Sequence, residues 1–179
     1  RSHFNYLAPE IATTPDDAYR LLKAGKIAAF IGMENGYPIG KDLSRIKQYY
    51  DLGARYITLA HTKNNDICDS STDPSGAENN GLSQFGVQVV KEMNGLGMMV
   101  DISHISDKSF YDVLKVTNAP VLAYHSSCRA LCGGPRNLTD DMLLALKEND
   151  GVIQICIFGN CLKTTEPNPE LDLKLKELQ

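Results

Sequence analysis

No stretch of the chain approaches the roughly 18 consecutive apolar residues that a membrane-crossing helix needs, so no span is expected. Basic charge is also short. Eighteen Lys and Arg stand against 22 Asp and Glu, a net charge of −4, which leaves no electrostatic footprint for nucleic acid. The five cysteines are too few for a disulfide scaffold, and their odd number excludes a full set of internal bridges. Cys128-x3-Cys132 and Cys156-x4-Cys161 lack zinc-finger spacing, so reduced thiols are expected. Neither a glycine-rich dinucleotide fingerprint nor a P-loop occurs. Ser126-Ser127 lacks the G-x-S-x-G elbow of a serine nucleophile. The opening Arg1-Ser2-His3 carries neither an initiator Met nor a signal peptide, and the chain stops within a helix-like run. Both features suggest a piece of a longer protein.

What is present is ordinary globular material: 42% apolar and 22% charged residues over 179 positions. At about 150 residues per domain, residues 1–179 read as one domain. Helix and strand patterns alternate along it. Thr14 caps and Pro15 opens a helix over 15–24, and a buried strand over 27–31 closes at Gly32. A helix over 42–52 and a strand over 56–60 follow, then a polar loop over 62–80. Ser83 caps a helix to Leu96, stopped by Gly97, and a strand covers 98–102. Ser106 caps a helix to about Thr117, before a strand over 121–124. Thr139 caps a helix to about Asn149, and the last strand covers 152–158. Five strands, each preceded by a helix of about ten residues, predict an α/β parallel sheet with right-handed crossovers. A doubly wound open sheet and a (β/α)8 barrel both satisfy that pattern.

The chemistry gathers after the strands. Glu34 follows the first, His61 the second, His104 the third and His125 the fourth, so three of four histidines sit at the carboxyl ends of consecutive strands. In a parallel barrel those ends share the face that carries the active site. Imidazole and carboxylate are zinc ligands, and a cation held open to solvent turns water into a nucleophile near neutral pH. Each residue also has a plainer reading: a rim histidine with satisfied hydrogen bonds, or a solvated loop acid. Arg136, in Pro135-Arg136-Asn137, is either a surface arginine paired with Asp140 or Asp141, or a planar clamp for a substrate carboxylate. The acids Asp66, Asp69, Asp73 and Glu78 lack EF-hand spacing and read as a solvated loop.

Several segments resemble the membrane (renal) dipeptidase family. They are Tyr56-Ile57-Thr58-Leu59-Ala60-His61-Thr62, Asn80-Gly81-Leu82-Ser83-Gln84-Phe85-Gly86 and Leu96 through His104. Ala119-Pro120-Val121 through His125-Ser126-Ser127 and Pro135-Arg136-Asn137 with Asp140-Asp141-Met142 complete the set. The resemblance covers most of residues 11–160. It implies a (β/α)8 TIM-like barrel, about five strands of it in this chain, and a metallopeptidase that splits dipeptides with two zinc ions. Carried over by position, Glu34 would bridge the metals, and His104 and His125 would bind the second zinc. His61 would contact the scissile bond as a non-ligand, and Arg136 would hold the substrate carboxylate.

The chain departs from that pattern in places. The family's His-x-Asp pair has no counterpart, because His3 precedes Phe4-Asn5, and the family's late-strand aspartate would lie beyond Gln179. Gly133-Gly134 replaces a frequent Asp-His, and Phe158 stands near a tyrosine of some members. The expected function is therefore zinc-dependent dipeptide hydrolysis through a metal-bridging water, with a homodimer as one candidate assembly. A related amidohydrolase acting on another amide or lactam is an alternative, as is a catalytically incomplete barrel fragment that serves as a binding module.

Overall fold

The computed structural model describes residues 9–163. His3, which precedes Phe4-Asn5 and so does not supply a His-x-Asp pair, lies outside the described residues. In chain order the elements are β1 (Pro9–Ile11), α1 (Pro15–Lys23), β2 (Ile27–Ala29) and β3 (Ile31–Glu34), then a 3-10 turn (Tyr37–Ile39), α2 (Ser44–Asp51) and β4 (Ala54–Thr58). They continue with α3 (Gln84–Leu96), β5 (Met99–Asp101), α4 (Asp107–Val116), β6 (Leu122–Ser126), α5 (Asp140–Glu148), β7 (Val152–Ile155) and α6 (Gly159–Leu162).

Strands β3 to β7 form one parallel sheet in strict sequence order. A doubly wound sheet reverses its strand order at a switch point, whereas a barrel wall adds each strand beside the last. The order observed is that of a barrel wall. The five-stranded sheet matches the five strands expected, with two differences. Residues β1 and β2 form a separate parallel pair, and only Phe30 divides β2 from β3. The strand expected to close at Gly32 instead runs through it to Glu34. Gly32 is there because a Cβ would overlap the Tyr56 ring, so it marks a close approach and not a stop.

The helices start where short polar side chains can take an orphan amide. Thr14, Ser83, Ser106 and Thr139 accept from the amides of Asp17, Gly86, Ser109 and Met142. Asp17 returns a bond to the Thr14 amide and completes a capping box. Gly97 ends α3 with φ of +72°, a conformation that costs other residues more. Strand residues alternate between two faces. Ile57, Val100 and Ala123 point to the helices and are buried with Val89, Val90, Met93, Phe110 and Val113. Tyr56, Thr58, Asp101 and Glu34 occupy the opposite, inner face, together with Tyr124. Tyr56 and Tyr124 lie with ring centroids 5.3 Å apart. The hydrophobic layer thus sits behind the sheet and the polar groups line its inside.

Candidate metal centre

Four side chains meet at the carboxyl ends of β3 to β6. Glu34 is the last residue of β3, and Asn35 turns the chain at once with φ of +84°. The Asn35 side-chain oxygen accepts from the Tyr37 amide at 3.0 Å and fixes that turn. His61 stands in the loop after β4, and its carbonyl accepts from Ser70 Oγ at 2.5 Å. His104 follows β5 with φ of +72°, and its carbonyl accepts from the Ser71 amide at 2.8 Å. His125 lies inside β6, not after it as the sequence pattern suggests. The β6 register slips between Ala123 and Ser126, and that irregularity turns the imidazole to the inner face.

The ligand atoms converge closely. Glu34 Oε1 lies 3.2 Å from His104 Nε2, 2.9 Å from His125 Nε2 and 3.6 Å from His61 Nε2. His104 Nε2 and His125 Nε2 are 3.0 Å apart. Glu34, His61 and His104 offer one ligand atom each, all within 4.8 Å of one another. Two ligands at zinc bond lengths in a tetrahedron are about 3.3 Å apart, in the middle of the observed range. Protons alone fit less well. If both Nε2 atoms carry hydrogen to Glu34, the two N–H groups face each other. If one does not, it no longer donates to the carboxylate. A cation among lone pairs removes that conflict. Nδ1 of His104 and of His125 are buried without a hydrogen-bond partner, so no contact on the far side commits either ring to a tautomer.

The electrostatics agree with this donor set. Burial, with Arg136 and the two other imidazoles nearby, pushes His104 down to about 3, so the ring is neutral and has a lone pair to give. Burial works to raise the Glu34 carboxyl, but hydrogen bonds from His125 and Tyr124 and the neighbouring imidazoles bring it below the usual range. Burial and the bond to Glu34 push the Tyr124 phenol up, so it stays protonated as a donor. The Tyr124 ring also stacks on His125 at 3.9 Å.

Arg136 is half-buried and donates to the His125 carbonyl at 3.3 Å. Among the described residues it forms no ion pair with Asp140 or Asp141, so the surface-pair reading does not hold. Arg136, Glu34, His61, His104, His125 and Phe158 line one cavity of about 480 Å³. A second hollow of about 520 Å³, bounded by Tyr19, Leu22, Phe30 and Met99, contains none of these groups. The acidic loop also differs from expectation. Asp69 is buried, and its carboxylate accepts four bonds from Glu78, Asn79 and Gly81. Asp66 pairs with Lys41 at 3.2 Å. Among the described residues no disulfide joins any two of the five cysteines.

Sequence reading passed over Tyr124, Ser70 and Asp101. A signal existed for Asp101, since a charge within the apolar run Met98–Ile102 must find partners when buried. Nothing local marks Tyr124, because strict alternation would place it opposite His125.

Comparison with known proteins gives a consistent picture. The family described as membrane dipeptidase (peptidase family M19) matches residues 5–175. Dipeptidase verJ of Clonostachys rogersoniana is 43% identical over 160 residues, which is 89% of this chain and 41% of that protein. Among solved structures, the probable dipeptidase PvdM of Pseudomonas aeruginosa superposes with a TM-score of 0.85 at 36% identity, covering 94% of this chain and 43% of that one. A metallo peptidase of Rhodobacter sphaeroides, bound to a phosphinate mimic of the dipeptide L-Ala-D-Ala, gives 0.78 at 26% identity, over 95% and 51% of the two chains. The chain therefore spans about half or less of the length of each of these relatives.

Proposed function

The chain belongs to the membrane dipeptidase family, and from that premise we propose that it supplies the metal-holding wall of a dipeptide-hydrolysing barrel. The single observation that carries this reading is the spacing of Glu34 Oε1 and the three imidazole Nε2 atoms, 2.9–3.6 Å from the carboxylate oxygen. Glu34, His104 and His125 are the residues that would hold the metal, with zinc as the proposed cation and two ions expected in the complete barrel. Bound zinc supplies Lewis acidity and a water acidic enough to attack near neutral pH.

The chain's own groups do the rest. His61, at 40% side-chain exposure, is the most open of the three imidazoles, against 24% for His125 and 8% for His104. Spacing alone does not separate it from the ligands. Its place at the mouth suits a donor to the carbonyl oxygen of a bound peptide, a stabilisation of roughly 3–4 kcal/mol for one well-placed group. Arg136 shares the cavity and presents a planar fork suited to a terminal carboxylate, which limits substrates to short peptides. The phosphinate dipeptide mimic carried by the Rhodobacter relative supports this substrate class.

Zinc titration of the 179-residue chain tests the reading. Wild type takes up zinc, Glu34→Gln loses most of that affinity, and His61→Ala keeps it. Equal zinc content in wild type and Glu34→Gln would refute the site. Loss of zinc in His61→Ala would move that residue from substrate contact to ligand.

A further inference from the structure

We infer that Asp101 and Ser103 are positioning residues that aim His104 and His125 at Glu34, an inference that rests on the metal reading above. Asp101 is the last residue of β5 and is fully buried, yet no Lys or Arg pairs with it among the described residues. Its partners are neutral donors. Thr58 Oγ1 on β4 donates to Oδ2 at 2.5 Å. Oδ1 accepts from the Ser103 amide at 3.1 Å, from Ser103 Oγ at 2.9 Å and from the Tyr124 amide at 3.1 Å. Ser103 Oγ in turn accepts from the His125 amide at 3.2 Å.

These bonds stand where a strand ladder stops. The regular pairing of β5 with β6 is confined to Asp101 opposite Leu122, extended by the Ile102 amide to the Leu122 carbonyl at 2.7 Å. Beyond that point the amides of Tyr124 and His125 have no β5 backbone beside them, and buried amides must find other acceptors. The two side chains take that part. Asp101 receives Tyr124, and Ser103 receives His125. Released from the ladder, β5 turns away at Ser103, and His104 enters the left-handed region that brings its ring over Glu34. One carboxylate thus joins β4, the turn before one proposed ligand and the irregular stretch of β6 that carries the other.

The clamp can be separated from the charge. In Asp101→Asn the amide oxygen can keep all three donors on the Oδ1 side, while Nδ2 donates to Thr58 Oγ1. Asp101→Ala leaves all of them without an acceptor. Ser103→Ala removes only the link to His125 and one bond to Asp101. The experiment measures Zn2+ affinity of the 179-residue chain by competition with a chromophoric chelator, and records the Co2+ ligand-field absorption, with metal-free urea unfolding alongside. Asp101→Ala and Ser103→Ala should bind zinc about 10–100-fold more weakly with an altered cobalt spectrum, while Asp101→Asn stays within about threefold of wild type.

Folded variants with wild-type zinc affinity and cobalt spectrum would overturn the inference, even if their metal-free stability falls, because a simple staple predicts that pattern. A loss in Asp101→Asn as large as in Asp101→Ala would overturn the clamp in favour of charge. Should Asp101→Ala fail to fold, Ser103→Ala decides. No zinc uptake by wild type would instead sink the metal reading, and this inference with it.

Discussion

Replacing Asp69 with Asn probes how the connection between β4 and α3 is held over the candidate site. Oδ1 of Asp69 accepts from the Glu78 and Asn79 amides at 3.0 and 2.7 Å and from Asn79 Nδ2 at 3.2 Å. Oδ2 accepts from the Gly81 amide at 2.7 Å. Asn has the same shape but presents an NH2 on one side. With its oxygen toward the three donors, its nitrogen meets the Gly81 N–H, and neither can accept. One charge-assisted bond is lost and a buried amide is left unpaired, a cost of roughly 2–4 kcal/mol. The opposite flip forfeits three bonds and is worse. With a urea slope of about 1–3 kcal/mol/M, the midpoint should fall by on the order of 1 M.

The pH dependence has a fixed sign. Burial works to raise the Asp69 carboxyl, but the backbone amides outweigh it and hold the group below its usual range. A folded-state value below the unfolded one of about 3.9 gives wild type its full advantage above roughly pH 4. That advantage shrinks as pH falls through the folded-state value, whereas Asn does not titrate. A variant within about 0.5 kcal/mol of wild type at pH 7, or a gap that widens in acid, would refute the reasoning.

Other perturbations are simpler. Gly32→Ala drives a methyl into the Tyr56 ring and should cost about 1–3 kcal/mol, read as a lower melting temperature; an unchanged melt would contradict the close approach. Tyr124→Phe removes a donor that lowers the Glu34 carboxyl, so in metal-free protein the Glu34 titration followed by carbon NMR should move upward. Arg136→Lys should mainly raise KM for dipeptides in a hydrolysis assay, since a point charge cannot copy a fork; an unchanged KM would count against the clamp. Zinc at about 100 times its dissociation constant should stabilise the chain by roughly 2.7 kcal/mol, and a chelator should reverse the shift in a thermal melt.

Local chemistry was readable in advance. Thr14, Ser83, Ser106 and Thr139 mark their helices because a cap needs only neighbours three residues away. The strand run Tyr56–Ala60 was visible for the same reason, to within two residues of β4. What depends on distant partners was hidden. Gly32 reads as a stop until the Tyr56 ring, 24 positions later, is seen against it. Asp69 reads as loop polarity, although Gly81 and Asn79 fold around it and bury it. At the site, strand ends pointed to Glu34, His61, His104 and His125 together, and the structure brings all four within reach. The shift in β6 that places Tyr124 and His125 side by side has no signature in a two-residue period.

The left-handed turn at His104 has a consequence for how substitutions there should be chosen. A side chain at φ of +72° costs on the order of 1–2 kcal/mol relative to glycine. Alanine at this position would keep that burden while discarding the imidazole, and so would confound a lost ligand with a strained backbone. Glycine relieves the burden, so His104→Gly should melt higher than His104→Ala in metal-free protein even though both have given up the nitrogen. A replacement library at this one codon would therefore rank thermal tolerance and cation capture in opposing orders, with histidine favoured only when the cation is counted.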